Sequence, residues 1–119
     1  MILGVGIDLV EIDRFRRTLE RRPGLIERLF TADEREYALQ RNDPTERFAA
    51  RFAAKEAALK SMGVGIGAVD WHDLEVRRDR DGRPTLAIGG RATELADSLG
   101  ILRFELSLTH TATLAQAEV

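Results

Sequence analysis

The chain has 119 residues, 44% of them hydrophobic, with 18 Lys and Arg against 20 Asp and Glu and no cysteine. That is the length of one domain, residues 1–119, and a net charge of -2 argues against a general nucleic-acid binder. The lack of cysteine removes a disulfide framework or cysteine-based zinc site. No apolar run approaches a membrane span and no basic leader opens the chain, so the cytoplasm is the expected compartment.

Residues 2–12 read as a strand, or a strand running into a loop, with Leu3, Val5, Ile7 and Leu9 on one face and Ile2, Gly4, Gly6, Asp8 and Val10 on the other. Asp8 is a carboxylate beside two glycines, and glycine in a strand marks close approach of a ligand or another backbone. Asp8 equally suits a plainer role, ending the strand and capping the next helix. Residues 13–22 read as a short helix carrying Phe15 and Leu19 at i,i+4, broken by Pro23-Gly24, with a further turn or short helix at 25–30. Between Asp13 and Arg28 stand Arg14, Arg16, Arg17, Arg21, Arg22 and Arg28 against Asp13, Glu20 and Glu27, a local excess of three positive charges. Most such runs are solvated faces; the sharper reading is a docking patch for an acidic partner, to which arginine forks well.

Thr31-Ala32-Asp33-Glu34 is a capping box for a helix running to about Gln40. The longest helix follows. Asp43-Pro44-Thr45-Glu46 starts it, residues 47–62 hold no Gly or Pro, and Gly63 stops it. On a helical wheel Phe48, Phe52, Leu59 and Met62 share one arc, and Lys55 falls inside it. Glu56 and Lys60 flank that arc, while the opposite side is Ala50, Ala54, Ala57, Ala58 and Ser61. The helix has no ordinary solvent face, so its charges need partners; for Lys55 the sequence names none.

The glycine-spaced run Val64-Gly65-Ile66-Gly67 reads as a turn. Residues 74–78 and 85–88 read as strands around the hairpin signal Asp81-Gly82, and residues 90–99 as a helix ending at Gly100. Residues 102–109 alternate like a strand, a turn falls near Thr111-Ala112, and a last strand runs to Val119. This order argues for an α+β fold: a long central helix packed on a mainly antiparallel sheet.

Three features can carry chemistry: Asp8, the Lys55/Glu56/Lys60 set, and His110 at a strand end. Two acids remote in sequence are what Mg²⁺ needs when it also holds phosphates and waters. Lys60, one turn beyond Glu56, can share a cleft with it and neutralise phosphate or assist proton transfer. A strand-end histidine can orient a nucleophile or a water, or merely satisfy a local hydrogen bond. Spacing alone does not show that these residues converge.

Three ordered blocks carry a family resemblance over nearly the whole chain. They are Gly6-Ile7-Asp8-Leu9-Val10-Glu11-Ile12 with Arg14, Arg51-Phe52-Ala53-Ala54-Lys55-Glu56-Ala57 with Lys60, and Ser107-Leu108-Thr109-His110-Thr111. On these the chain resembles the small trimeric holo-[acyl-carrier-protein] synthase branch of the 4′-phosphopantetheinyl transferase superfamily. The resemblance implies that fold and a cytoplasmic homotrimer in fatty acid biosynthesis. It also implies transfer of 4′-phosphopantetheine from coenzyme A to a serine of apo acyl carrier protein, releasing adenosine 3′,5′-bisphosphate. It implies Mg²⁺ on Asp8 and Glu56, and Lys60 near the pyrophosphate. Arg51 and His110 then line a coenzyme A cleft between subunits, with Gly82 and Pro84 near the nucleotide. Glu56, Lys60 and His110 are the implied catalytic set, and Arg14 and Arg21 the pair that docks the acidic helix of the carrier. Two other readings use the same residues: a coenzyme A- or nucleotide-binding protein without turnover, and a carrier-binding module built on the arginine helix. The intact Asp8, Glu56 and Lys60 argue against the former.

Overall fold

The long helix predicted from residues 43–63 is the centre of the molecule. A computed structural model describes all residues, 1–119. The chain runs β1 (Ile7–Glu11), α1 (Ile12–Arg21), α2 (Leu25–Leu29), α3 (Ala32–Ala38) and α4 (Thr45–Ser61). A 3₁₀ turn (Trp71–Asp73) then leads to β2 (Leu74–Arg78), β3 (Pro84–Ile88), α5 (Gly90–Ser98), β4 (Ser107–His110) and β5 (Leu114–Glu118). The fold is α+β with every strand pair antiparallel, as the sequence implies. No helix is long and apolar enough to cross a membrane.

α4 begins one residue later than its proline suggests. The Asp43 carboxylate accepts from the Thr45 N–H at 3.1 Å, and Pro44 precedes the first helical residue. It ends at Gly63, whose φ of +73° is the left-handed cap that glycine takes at little cost. Ala49, Ala50, Ala53, Ala54, Ala57 and Ala58 are all buried, so the helix is wrapped on nearly every side. β1 and β5 cover one side; α1, α3 and β2 cover others.

The first sheet has the order β1-β5-β4, with Asp8 opposite Ala117 and Ala117 opposite Leu108. Alanine at 115 and 117, both buried, lets this sheet lie close against α4. The glycines of β1 serve the same purpose. A side chain at Gly6 would overlap the Ala57 carbonyl oxygen, and one at Gly4 the carbonyl of Ser61. The close approach anticipated beside Asp8 is thus that of the α4 backbone. The strand is also shorter than residues 2–12. Gly6 exchanges both backbone hydrogen bonds with Val119, at 2.9 and 2.8 Å, and residues 1–5 lie outside the ladder. Because the glycine face turns inward, Leu3, Val5, Ile7 and Leu9 face out, each more than half exposed. The alternation at 102–109 likewise forms a strand only from Ser107. Residues 1–5 and 100–107 flank a groove of about 970 Å³ whose walls include Ile2, Leu3, Val5, Leu102 and Phe104.

The second sheet is the β2–β3 hairpin, pairing Leu74 with Ile88 and Arg78 with Pro84. Gly82 has φ +83° in its turn, and the Asp79 carboxylate accepts from the N–H groups of Asp81 and Arg83, both at 2.9 Å. The main core packs Phe30 at a tilt against Phe48 (4.7 Å between centroids) and stacks Phe15 on Phe52 (5.2 Å).

Lys55, the cation without a partner in sequence, closes this core. Its ammonium donates to Glu34 Oε1 (2.7 Å), the Leu29 carbonyl (2.7 Å) and the Trp71 carbonyl (3.1 Å), using all three of its protons. Glu34 is the acid of the predicted capping box. Its Oε1 also accepts from the Thr31 N–H and its Oε2 from the Val76 N–H, both at 2.9 Å. Both residues are buried and saturated, so one pair ties α4 to α2, α3, the 3₁₀ turn and β2. Burial pushes the Lys55 ammonium pKa down, while Glu34 holds it up.

Candidate active site

Asp8, Glu56 and Lys60 come together where β1 crosses α4. Asp8 is on the inward face of β1, which the glycines hold against the helix, and Glu56 and Lys60 are one turn apart on α4. Lys60 Nζ donates to Asp8 Oδ1 at 3.1 Å and to the Ile7 carbonyl at 3.0 Å. Two of its three protons are used, and its side chain is 54% exposed, so one donor remains for a ligand. Glu56 is half buried. Burial raises its pKa first, then the negative charge of Asp8 and a hydrogen bond with it; Lys60 pulls the other way. Two carboxylates that resist sharing their charge beside one ammonium make a site that gains from a cation. No group of three or more His, Cys, Asp or Glu assembles, so Asp8 and Glu56 are the two side chains set to meet such an ion.

The other candidates lie elsewhere in the chain. His110 sits opposite Ala115, two residues along the sheet from the row of Asp8, with Nε2 3.1 Å from Glu46 Oε1. Glu46 precedes Glu56 by ten residues of helix, roughly 15 Å. Arg51 is buried on the flank of α4 near Tyr37, about 140° around the helix from Glu56. Gly82 and Pro84 gather on that same flank. The Gly82 carbonyl accepts from Arg78 Nε at 3.3 Å, and Pro84 is the ladder partner of Arg78. Three of the coenzyme A positions implied by resemblance therefore meet around Tyr37, apart from the acidic pair.

α1 buries Ile12, Phe15 and Leu19, which turns Arg14, Arg17 and Arg21 to solvent with no ion-pair partner. Arg16 is different. It lies 2.8 Å from Asp43 and also pairs with Asp13, and both hydrogen bonds raise its pKa. Beside Arg51 stand Tyr37, Arg47 and Arg78, to which the sequence assigns no functional role. They stand on α3, α4 and β2, and no spacing in the sequence links them.

Comparison with known proteins shows the family. Residues 4–115 match the model of the 4′-phosphopantetheinyl transferase superfamily, and the chain belongs to that family. It is an enzyme of the holo-[acyl-carrier-protein] synthase class. The holo-[acyl-carrier-protein] synthase of Frankia casuarinae is 49% identical over 118 residues, covering 99% of this chain and 95% of that protein. The crystal structure of the synthase from Neisseria meningitidis superposes with a TM-score of 0.90 at 32% identity, over 99% of this chain and 96% of that one. The Bacillus anthracis synthase in complex with CoA (3′,5′-ADP) superposes with a TM-score of 0.81 at 36% identity, over 99% of this chain and 94% of that one.

Proposed function

We propose that the protein transfers the 4′-phosphopantetheine group of coenzyme A to a serine hydroxyl of apo acyl carrier protein, in a Mg²⁺-dependent reaction of fatty acid biosynthesis in the cytoplasm. The observation that carries this is the meeting of Asp8, Glu56 and Lys60 in a member of this family. Phosphoryl-type transfer asks mainly for positioning and for charges placed against phosphate oxygens. The serine Oγ forms a bond to the phosphorus that bears the pantetheine, and the phosphoanhydride P–O bond breaks. Adenosine 3′,5′-bisphosphate leaves with the electron pair, and the serine proton passes to Glu56 or to a water. The free donor of Lys60 binds and orients the pyrophosphate.

The paired carboxylates fit a hard divalent cation. Both offer oxygen, and the Glu56 pKa is raised by burial first and then by the like charge of Asp8, which a cation would relieve. Asp8 and Glu56 would hold Mg²⁺, which when bound offsets charge on the phosphate oxygens.

Arg51, Gly82, Pro84 and His110 hold the nucleotide in this reading. In one chain they flank two different sides of α4, which supports a site completed by a second subunit. The outward stripe of Leu3, Val5, Ile7 and Leu9 and the apolar groove beside it support the same conclusion, a homotrimer with active sites between protomers. Arg14 and Arg21, unpaired on the outer face of α1, dock the acidic helix of the carrier. The whole of residues 1–119 acts as one transferase domain.

The deciding experiment is incubation with coenzyme A, Mg²⁺ and several apo carrier proteins, read by intact mass. A pantetheine adduct on a carrier is expected; coenzyme A binding with no adduct on any carrier would reduce the protein to a binding module. Full turnover with unchanged Mg²⁺ dependence in Asp8→Ala would remove the metal assignment. A stable, active monomer by light scattering would remove the trimer.

A further inference from the structure

The ammonium of Lys60 reaches from the last turn of α4 across to β1. There it donates to Asp8 Oδ1 at 3.1 Å, 52 residues away in the chain, and to the Ile7 carbonyl at 3.0 Å. The two ends of this ion pair are not equally free. The Asp8 backbone is laddered to Ala117, and Gly4 and Gly6 seat the strand on the carbonyls of Ser61 and Ala57. The Asp8 side chain is 12% exposed, that of Lys60 54%. Lysine is a point charge on a flexible four-carbon stem. The ammonium can therefore leave, and the carboxylate cannot follow it. Lys55 is the opposite case, sealed in the core by three acceptors. Lys60 is the only cation within ion-pair distance of Asp8, and Glu56 has none.

Asp8 and Glu56 are also the two side chains set to meet a divalent cation. Mg²⁺ takes carboxylate oxygens at about 2.1 Å. Its two charges would then lie a few ångströms from an ammonium held on the same carboxylate. Like charges at that separation repel by more than the thermal energy even in water. The ion pair to be broken is half open and adds little stability. Moving the ammonium is thus the smaller cost. Once off Asp8 it regains a donor, and phosphate oxygens beside the cation are the acceptors it can reach. A lysine that stayed on Asp8 would act in the opposite sense. It would hold the carboxylate ready for the metal, and its removal would weaken metal binding.

We propose that Lys60 competes with the divalent cation for Asp8, holding the carboxylate until the cation takes it and then carrying its donors to the phosphate. The identity of the metal site and of the phosphate rests on the transferase reading. The two acids alone would bind the cation more tightly than the enzyme does. Cation and coenzyme A also favour each other beyond their direct contact, because the ammonium released by one is received by the other.

The test titrates Mn²⁺, an oxygen-seeking cation counted by the spin-resonance signal of its free form, into the wild type and four variants. These are Lys60→Met, Lys60→Gln, Lys60→Arg and Asp8→Asn, each with its urea midpoint in metal-free buffer as a folding control. Without coenzyme A, the two neutral variants are expected to bind Mn²⁺ about fivefold more tightly than the wild type, the size of one ion pair no longer given up. Lys60→Arg keeps the charge and should bind as weakly as the wild type. Adding coenzyme A should tighten Mn²⁺ binding more in the wild type than in Lys60→Met. Equal or weaker Mn²⁺ binding by the neutral variants would overturn the competition. So would Lys60→Arg binding as tightly as Lys60→Met, or an equal gain from coenzyme A in both. Asp8→Asn separates this failure from failure of the metal site. If it binds Mn²⁺ as well as the wild type, or if none of the proteins binds Mn²⁺, the metal assignment falls and the proposal with it. If it binds more weakly while Lys60→Met matches the wild type, the metal assignment stands and the competition alone is overturned.

Discussion

α4 carries two lysines five residues apart, each paired with one acid, and they do opposite things. Lys55 and Glu34 are wholly buried at 2.7 Å, with every proton of the ammonium and both oxygens of the carboxylate engaged. Lys60 and Asp8 are 3.1 Å apart in a pair that is 54% exposed on the lysine side, with one donor idle and a second carboxylate alongside. A saturated buried pair has nothing to offer a ligand and much to lose if one partner goes. An unsaturated, half-open pair adds little stability and keeps its electrostatics for what binds. The same two residue types thus serve the fold in one place and chemistry in the other. What separates them is satisfaction, not identity.

The largest effect that can break this contrast is on stability. Lys55→Met leaves the Glu34 carboxylate buried without its cation, so unfolding in urea should cost about 3–5 kcal/mol less than for the wild type. Lys55→Met with Glu34→Gln should recover a good part of that loss, because the stranded charge is gone. A single-mutant loss under about 1 kcal/mol would show that the buried pair is dispensable. At the other lysine the balance reverses. Lys60→Met should lower the transfer rate about 100-fold or more, as removal of a phosphate-stabilising donor does, while stability stays within about 1 kcal/mol of the wild type. A comparable loss of stability at both lysines would erase the distinction.

That distinction was only partly legible in the sequence. The capping box, the glycine stop and the all-round burial of α4 follow from local rules, and the structure contains each of them. Lys55 could be seen to need a partner, but Glu34 lies 21 residues away on another helix. Its capping role was legible, its second role was not, because that depends on how α3 packs. β1 is shorter than its alternation suggests, and its facing is not legible in sequence. Period-two alternation identifies two faces without saying which is buried, and here close approach of the α4 backbone sends the glycine face inward. The acidic pair was legible as residue types, and its convergence only through family resemblance. Arg51 beside Tyr37 is legible through the family resemblance, whereas Arg47 and Arg78 carry no sequence signal, since their meeting at Tyr37 depends on how α3, α4 and β2 pack.

The contrast between tied and free cations recurs on α1, with a smaller expected effect. Arg16 is tied to Asp13 and Asp43, whereas Arg14 and Arg21 have no ionic partner. Arg14→Glu should raise KM for the carrier protein about fivefold, roughly 1 kcal/mol, with KM for coenzyme A unchanged. Arg16→Gln should leave both nearly alone. The carrier effect should shrink as salt rises, since it acts between exposed charges. Equal changes in the two KM values would count against a docking patch.

The smallest effect concerns the acid beside Lys60. Glu56 has its pKa raised in the folded state, by burial first and by Asp8 second. A raised acid binds its proton more tightly when folded, so its contribution to stability is fully present below the unfolded glutamate range. It is lost as pH climbs through the folded value. Glu56→Gln, neutral at every pH, removes that slope. In metal-free buffer the urea stability of the wild type relative to Glu56→Gln should therefore decline as pH rises from about 4. The decline should be shallow, because Glu56 is only half buried and solvent screens the rest. A relative stability that climbs over this range would mean that Lys60 outweighs Asp8 and burial at Glu56. The pair would then be as self-satisfied as Lys55 and Glu34, with no surplus negative charge to draw a cation.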